Sequence, residues 1–506
     1  MSGLSVAWTV MTTTPALFAA AFGVAWGILG GALPGISPSI SMALILPFTY
    51  GMKPEVAIIL LAAVYIGAEY GGSIPAILIS TPGTNSAAAT LIDGYQMYRQ
   101  GKGGEALGIS LITGWVGGIF GIMVLVFLTG WLTEVALLFK PPAYFAIGLL
   151  GLSVIASLSE GSLVKGFIPA ILGLMIATIG ADPVSGVNRF TFNRIELING
   201  IHPIIVMIGL FAVSELLVQS GLPPWPKSES RMRIVLPSLS MLFGRLRMAQ
   251  IIGCIIGTFE GIMPGAGGTV ASFISYNEAR RWSKHKEEFG HGSPEGVAAP
   301  ECANNVVTAT TLIPVLSFGI PGSNSAAILL GGLLLHGLRP GPALFQNNPH
   351  VVYGLYAGLV AANMFMLIIG YVTLRPSIWL VNRPKPYVLA IIYVLLFSGT
   401  YSLDHSLFEP ALVMVAGVVG YLMRYAGLNP LPMVLGVVLG FMVETNFRRS
   451  LVLSMGDYSV FWADPLSASL MSVALLFILG SLGHILWKKY RANGPAKVSS
   501  QETSAP

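Results

Sequence analysis

The chain has 506 residues, of which 54% are hydrophobic and only 10% charged, with a mean hydropathy of +0.75. Such values exclude a soluble multidomain protein and define an all-α polytopic membrane protein. The net charge of +5 comes from loops and the tail, which favours that reading over a nucleic-acid patch, and the two cysteines, Cys254 and Cys302, lie in or beside apolar segments, so a disulfide framework or zinc site has no support.

No Asp, Glu, Lys or Arg precedes Lys53, and the start lacks the basic residues of a signal peptide, so it is expected to remain as the first membrane segment. Ala16–Leu33 is the first apolar segment, followed by the shorter Ile40–Tyr50. After a polar link at Asp93–Glu105 come Ala106–Thr133, Pro141–Ser159, Gly166–Ala181 and Leu197–Ser214. Several such runs reach the roughly 20 residues that span a bilayer. In the second half, short arms at Gly253–Met263 and Thr269–Tyr276 suit a re-entrant hairpin, and Val351–Leu374, Tyr387–Leu403, Pro410–Met423 and Pro430–Val443 occupy places matching the first half.

The expected division is a first membrane repeat at 1–222, a cytoplasmic linker at 223–247, a second repeat at 248–445, a C-terminal loop with an extra transmembrane helix at 446–490, and a disordered cytoplasmic tail at 491–506. The linker carries Lys227, Arg231, Arg233, Arg245 and Arg247, and the tail Lys488, Lys489, Arg491 and Lys497, which places both in the cytoplasm. An uncharged N-terminus placed outside then makes the two repeats inverted. Arg448 and Arg449 fall outside in this scheme, against the charge bias.

The duplication is carried by strings. PGTNSAA at Pro82–Ala88 returns as PGSNSAA at Pro321–Ala327, 239 positions later, and GGALPG at Gly30–Gly35 aligns with EGIMPG at Glu260–Gly265 at an offset of 230. Each string breaks an apolar segment, because Pro removes a backbone donor and Gly permits left-handed dihedrals. In lipid such breaks are tolerated only inside protein or beside a polar cavity. The hydroxyl and amide residues that follow suit helix N-termini, whose partial positive charge favours an anion.

In an inverted duplication the four breaks meet near mid-membrane, where repeat-built transporters place substrate. The candidate substrate-binding residues are therefore Pro34, Gly35 and Ser37; Thr81, Pro82, Gly83, Thr84, Asn85 and Ser86; Pro264, Gly265, Gly267 and Gly268; and Pro321, Gly322, Ser323, Asn324 and Ser325. No basic side chain lies within the breaks, so a bound carboxylate would be held by helix ends and hydroxyls. The bland alternative is that a Pro-Gly pair merely ends or kinks a helix; four duplicated, polar-capped pairs favour the binding role. Among carboxylates in or beside apolar stretches, Glu69, Asp93, Glu260 and Glu301, we read Asp93 as interfacial. Glu260 and Glu301 are the candidates for cation coupling, with Asn304 and Asn305 as further oxygen ligands. No cofactor and no structural metal is expected, only a coupling ion, sodium or proton. Walker A, HExxH and GxSxG strings do not occur, so ATP-driven transport and common hydrolase designs have no local support.

GGALPGISPSISMALILPFTYGM at Gly30–Met52, YIGAEYGGSIPAILISTPGTNSAAATLIDGYQM at Tyr65–Met97, EGIMPGAGGTVASFISYNEAR and PGSNSAAILLGGLLLHGLRPGPALF resemble the large membrane subunit of the tripartite tricarboxylate transporters, the TctA family. The resemblance implies a secondary transporter of the bacterial inner membrane that imports a di- or tricarboxylate on a cation gradient. Its implied partners are a small membrane subunit and a periplasmic solute-binding protein. The alternatives are a carboxylate/cation symporter that needs no binding protein, and an intramembrane enzyme acting on lipid-linked substrates. The enzyme would require paired acids or a metal-ligand cluster beside the breaks, which the sequence does not offer, so the protein is read as a transporter rather than an enzyme.

Overall fold

The computed structural model describes residues 3–158, 163–182, 185–227, 233–263, 265 and 267–492. The first half runs through α1 (Gly3–Met11), α2 (Thr14–Gly31), α3 (Pro38–Ile45), α4 (Pro54–Gly71), α5 (Ser73–Ile79), α6 (Ala87–Arg99), α7 (Gly103–Ala136), α8 (Pro141–Leu158) and α9 (Leu163–Ala177). A two-residue β-hairpin, β1 (Gly180–Ala181) with β2 (Asn188–Arg189), precedes α10 (Pro203–Met207), which continues through a π-helical stretch at Ile208–Val213 into α11 (Ser214–Gly221). Among the described residues, eight helices are long and apolar enough to cross a membrane. The all-α polytopic expectation is met.

The second half comprises α12 (Leu239–Phe243), α13 (Arg247–Ile262), α14 (Gly267–Trp282), α15 (Pro294–Thr310), α16 (Leu312–Phe318), α17 (Asn324–Leu335), α18 (Pro342–Asn347), α19 (Pro349–Val372), α20 (Leu374–Val381), α21 (Lys385–Asp404), α22 (Phe408–Tyr425), α23 (Leu431–Leu453), α24 (Val460–Ala463) and α25 (Pro465–Ala492). Three boundaries differ from the sequence expectation. The helix expected at Leu197–Ser214 starts at Pro203 and ends at Gly221, because Pro203 fits the first turn and the His202 side chain accepts from the Ile204 N–H. α14 continues to Trp282 and so shortens the polar loop. α23 runs ten residues past Val443, because its polar end is held by ion pairs: Arg448 to Asp182 at 2.9 Å, Arg448 to Glu444 at 2.8 Å, and Arg189 to Glu444 at 2.7 Å.

Small residues let the helices of each half approach closely. Added Cβ atoms at Gly23, Gly27 and Gly31 of α2 would lie within 2.7 Å of α4 atoms, the nearest being Ala63 Cβ, the Val64 carbonyl and the Ala68 carbonyl. At the offset of 230 stand Gly253, Gly257 and Gly261 of α13, where an added Cβ would meet α15 at the Ala299 carbonyl, the Ala303 carbonyl and the Thr310 hydroxyl. Every-fourth-residue stripes of this kind are how helices pack where lipid removes the hydrophobic drive. The pairs then cross over: α4 of the first half packs against α19 of the second, and α15 against α7.

One end of the molecule gathers basic loops. Val235 N–H donates to the Gly104 carbonyl at 2.9 Å, Gln100 Nε2 to the His291 carbonyl at 2.6 Å, and Arg245 pairs with Glu288. The 99–103 loop, residues 233–247 of the linker and the 283–293 loop therefore lie together, with both outer ends of the α13–α14 hairpin beside them. α7 leads about 50 Å away from this end, at 1.5 Å per residue. At its far end lie the β-hairpin, the start of α8 and the last turns of α23.

Candidate functional site

The interruptions have matched backbone geometry. α5 and α16 both end on a left-handed residue, Ser80 (φ 55°) and Gly319 (φ 73°), which stand 239 positions apart. The other pair of breaks turns at Gly35 (φ 78°) and Gly265 (φ 89°), 230 apart. A non-glycine residue in this region is uncommon, and Ser80 holds it where its counterpart is glycine.

All four breaks contribute to one cavity of about 180 Å³. Ser37, Pro38 and Ser39 line it from the first break; Thr84, Asn85 and Ser86 from the second; Gly265, Gly267, Gly268 and Thr269 from the third; and Ser323, Asn324 and Ser325 from the fourth. Tyr65, Glu69, Asn429 and Leu431 complete the wall. The N-terminal ends of α3, α6, α14 and α17 thus converge on one space, and among the described residues no lysine, arginine or histidine lines it.

The remaining expected residues stand behind this lining. Gly83 packs so closely that an added Cβ would lie 1.9 Å from the Gly31 carbonyl, and Gly83 N–H donates to the Gly72 carbonyl at 3.0 Å. Gly265 N–H donates to the Gly322 carbonyl at 2.9 Å, joining the third and fourth breaks. Gly35 turns against the Gln219 side chain. Pro34, Thr81, Pro82, Gly35, Gly83, Pro321 and Gly322 therefore shape the breaks without lining the cavity, and Pro264 lies outside the described residues.

The two copies are not chemically equal. Ser323 caps α17 by accepting from Ala326 N–H at 3.1 Å. In the first copy the matching residue, Thr84, likewise accepts from Ala87 N–H at 3.4 Å, but the Ser86 hydroxyl donates to Glu69 Oε2 at 2.7 Å, and the position that matches Glu69 in the second copy is Thr308. Asn304 Nδ2 donates to the same oxygen at 3.0 Å, and Thr84 and Ser86 are hydrogen-bonded at 3.0 Å. The Tyr65 hydroxyl lies 3.4 Å from Ser323 Oγ. Asn85 and Asn324 are exposed to the cavity, and among the described residues neither side-chain amide has a protein hydrogen-bond partner. Asn304 Oδ1 is buried with no partner among the described residues, beside Gly268 and 2.4 Å from where a Cβ there would stand.

The acidic residues sort differently from the sequence expectation. Glu69 lines the cavity, while Glu260 is half-buried on α13 away from it. Glu301 is buried behind the wall, accepting from Thr90 Oγ1 at 2.5 Å and Ser110 Oγ at 2.8 Å, and Asn305 Nδ2 donates to the Glu301 carbonyl at 2.9 Å. Asp93 is fully buried beneath the polar 283–293 loop: Tyr276 donates to it at 2.9 Å, as do the N–H groups of Gly290, Gly292 and Ser293 at 2.8–2.9 Å. Among the described residues no group of three or more metal-ligating side chains occurs. Tyr65 and Asn429, which no sequence pattern marks, and Glu69, which the sequence offers as a carboxylate in an apolar stretch but not as a lining residue, also face the cavity. For Glu69 a signal existed, as it is the only charged residue between Glu55 and Asp93.

Crossed pairs of apolar helices around a buried, polar, helix-end cavity define a polytopic membrane protein of the transporter class. The chain matches the model of the tripartite tricarboxylate transporter TctA family over residues 17–435. It is 36% identical over 449 residues to an Agrobacterium vitis protein described as an uncharacterized 52.8 kDa protein in the TAR-I ttuC′ 3′ region, covering 87% of this chain and 88% of that one. A second Agrobacterium vitis protein, described as lying in the TAR-II ttuC′ 3′ region, is 35% identical over 228 residues, which cover 45% of this chain and 93% of that one. No solved structure matches. The chain belongs to the TctA family of tripartite tricarboxylate transporters.

Proposed function

We propose that this chain is the large transmembrane subunit of a secondary transporter that imports a di- or tricarboxylate across the bacterial inner membrane on a sodium or proton gradient. It would work with a small membrane subunit and a periplasmic binding protein, the set its family membership implies. The observation that carries the reading is the convergence of four helix N-termini with Asn85 and Asn324 on a cavity that no basic side chain lines among the described residues. A carboxylate there is held by N–H groups, hydroxyls and amides, each charge-assisted contact being stronger than its neutral counterpart.

The cation partner in this account is Glu69, with Asn304 Oδ1 and the Ser86 hydroxyl as neighbouring oxygens. A lone carboxylate beside an anion site repels the anion, so a bound cation favours substrate binding and the two move as a unit. Glu301, which does not line the cavity, supports α15 through Thr90 and Ser110. The matched turns at Ser80/Gly319 and Gly35/Gly265 support two repeats, inverted as the loop charges indicate. The test is uptake of radiolabelled citrate and dicarboxylates into vesicles holding the chain and its small subunit, with and without binding protein, under separate sodium and proton gradients. Uptake that needs the binding protein and one gradient is expected. Uptake without the binding protein identifies a direct symporter, and no uptake of any acid after verified insertion overturns the substrate class.

A further inference from the structure

A second cavity, of about 580 Å³, opens at the end of the molecule opposite the basic loops, between the end of α7, the start of α8, the 336–341 loop and the last turns of α23. Its volume falls in the range of small-molecule sites. Two guanidinium groups line it, Arg339 and Arg449, and neither has a carboxylate partner among the described residues. Their neighbours differ: Arg448 and Arg189 are both neutralised by Asp182 and Glu444. Arg339 Cζ lies 5.8 Å from the Phe441 ring centroid, a cation–π distance that occupies no hydrogen-bond acceptor. The Thr445 hydroxyl, also in the wall, is buried with no partner among the described residues, and Gln346 presents an exposed amide.

Unpaired arginines at this end run against the preference for positive charge on the basic-loop side, so a role other than topology is called for. The position of the cavity supplies one. Its wall includes Phe318 and Gly319, where α16 ends, and Ser323, four residues further along the same break, lines the central cavity. The two cavities therefore flank one helix interruption.

We propose that this outer cavity is a carboxylate-binding vestibule, in which Arg339 and Arg449 hold a di- or tricarboxylate before it passes the 319–323 break. Two planar guanidiniums suit a ligand with two or more carboxylates, each taken by a fork of N–H donors. The vestibule's place on an import path rests on the proposed function; its anion chemistry does not.

The experiment reads occupancy directly. In the full chain with its small subunit, reconstituted in nanodiscs of zwitterionic lipid, Gln346→Cys is labelled with a maleimide while citrate, succinate or acetate is titrated. The native Cys254 and Cys302 are buried, which keeps the background low. Citrate and succinate are expected to slow labelling and acetate to do so only at much higher concentration, with Arg339→Gln plus Arg449→Gln weakening the protection about tenfold or more, as loss of charge-assisted contacts requires. No protection by either polyacid overturns the proposal, as does protection that appears only on adding anionic phospholipid, which marks a lipid-headgroup site. Transport in the same samples separates the two readings: protection without uptake leaves the anion site standing and removes import, whereas uptake without protection removes the vestibule alone.

Discussion

Asn304 on α15 and Glu69 on α4, 235 residues apart, meet through a 3.0 Å hydrogen bond from Nδ2 to Oε2. The bond joins the two halves at the wall of the central cavity. The offset that superposes the PGTNSAA and PGSNSAA strings places Tyr65 on Asn304 and Glu69 on Thr308, so the backbone pattern is duplicated while the carboxylate is not. Among the described residues Glu69 is the one acid that lines the cavity, so its charge lies on the first-half side.

Glu69→Gln keeps the size of the side chain and the chance to bond Ser86, but removes the charge. Gradient-driven uptake is expected to fall about tenfold or more with insertion unchanged, the loss being that of an electrostatic partner in a low-dielectric site. Initial rates under imposed sodium or proton gradients check this, and a variant that follows the gradient as well as the parent removes Glu69 from coupling.

Asn85→Ala and Asn324→Ala each delete an amide that faces the cavity and bonds no protein group among the described residues. Because neither amide supports the fold, thermal stability should stay within about 1 kcal/mol of the parent. Substrate affinity should drop roughly tenfold per site, as for a hydrogen bond to a charged group. Half-saturating concentrations measured beside melting temperatures distinguish this from a folding defect, which would move both.

Gly27→Val and Gly257→Val test the close packing of α2 on α4 and α13 on α15. The first added carbon would stand 2.3 Å from the Val64 carbonyl and the second 2.6 Å from the Ala303 carbonyl, both backbone atoms that cannot step aside. Overpacking costs typically about 1–3 kcal/mol and more against rigid backbone. Each variant should give a lower melting temperature and a broadened size-exclusion peak; unchanged behaviour of both would show the helices to be less tightly apposed.

Asp93→Ala leaves Tyr276 and the N–H groups of Gly290, Gly292 and Ser293 without their acceptor. Stranding buried donors costs about 1–3 kcal/mol each before relaxation, so the 283–293 loop should release. Trypsin cleavage after Lys284 or Lys286 is the readout, and it should be several-fold faster than in the parent at equal protein concentration.

Much of this molecule could be read from its residues for a physical reason: in lipid, apolar length defines the helices, and Pro-Gly strings mark where they stop. Ser37, Asn85, Gly267 and Asn324 were found that way and do meet in one cavity. Glu69 and Tyr65 were not, because their place depends on which face of α4 meets the breaks, and a helix buried all round carries no amphipathic stripe to show it. The shielding of Asp93 is likewise hidden from the sequence: the polar link after it marks the edge of the apolar segment, and the chain folds the distant 283–293 loop over the carboxylate, a contact that no local pattern encodes.

The central claim is that an anion at the helix ends and a cation at Glu69 bind as a unit, and equilibrium binding tests it most directly. Citrate, or whichever panel acid is transported, is titrated into the purified chain with its small subunit, with and without saturating sodium and at two proton concentrations, in parent and Glu69→Gln. The account predicts that one cation raises the affinity of the parent by about tenfold, a coupling of about 1.4 kcal/mol, and leaves that of the variant unchanged. An affinity of the parent that is the same with either cation present or absent, or equal coupling in the variant, would contradict it.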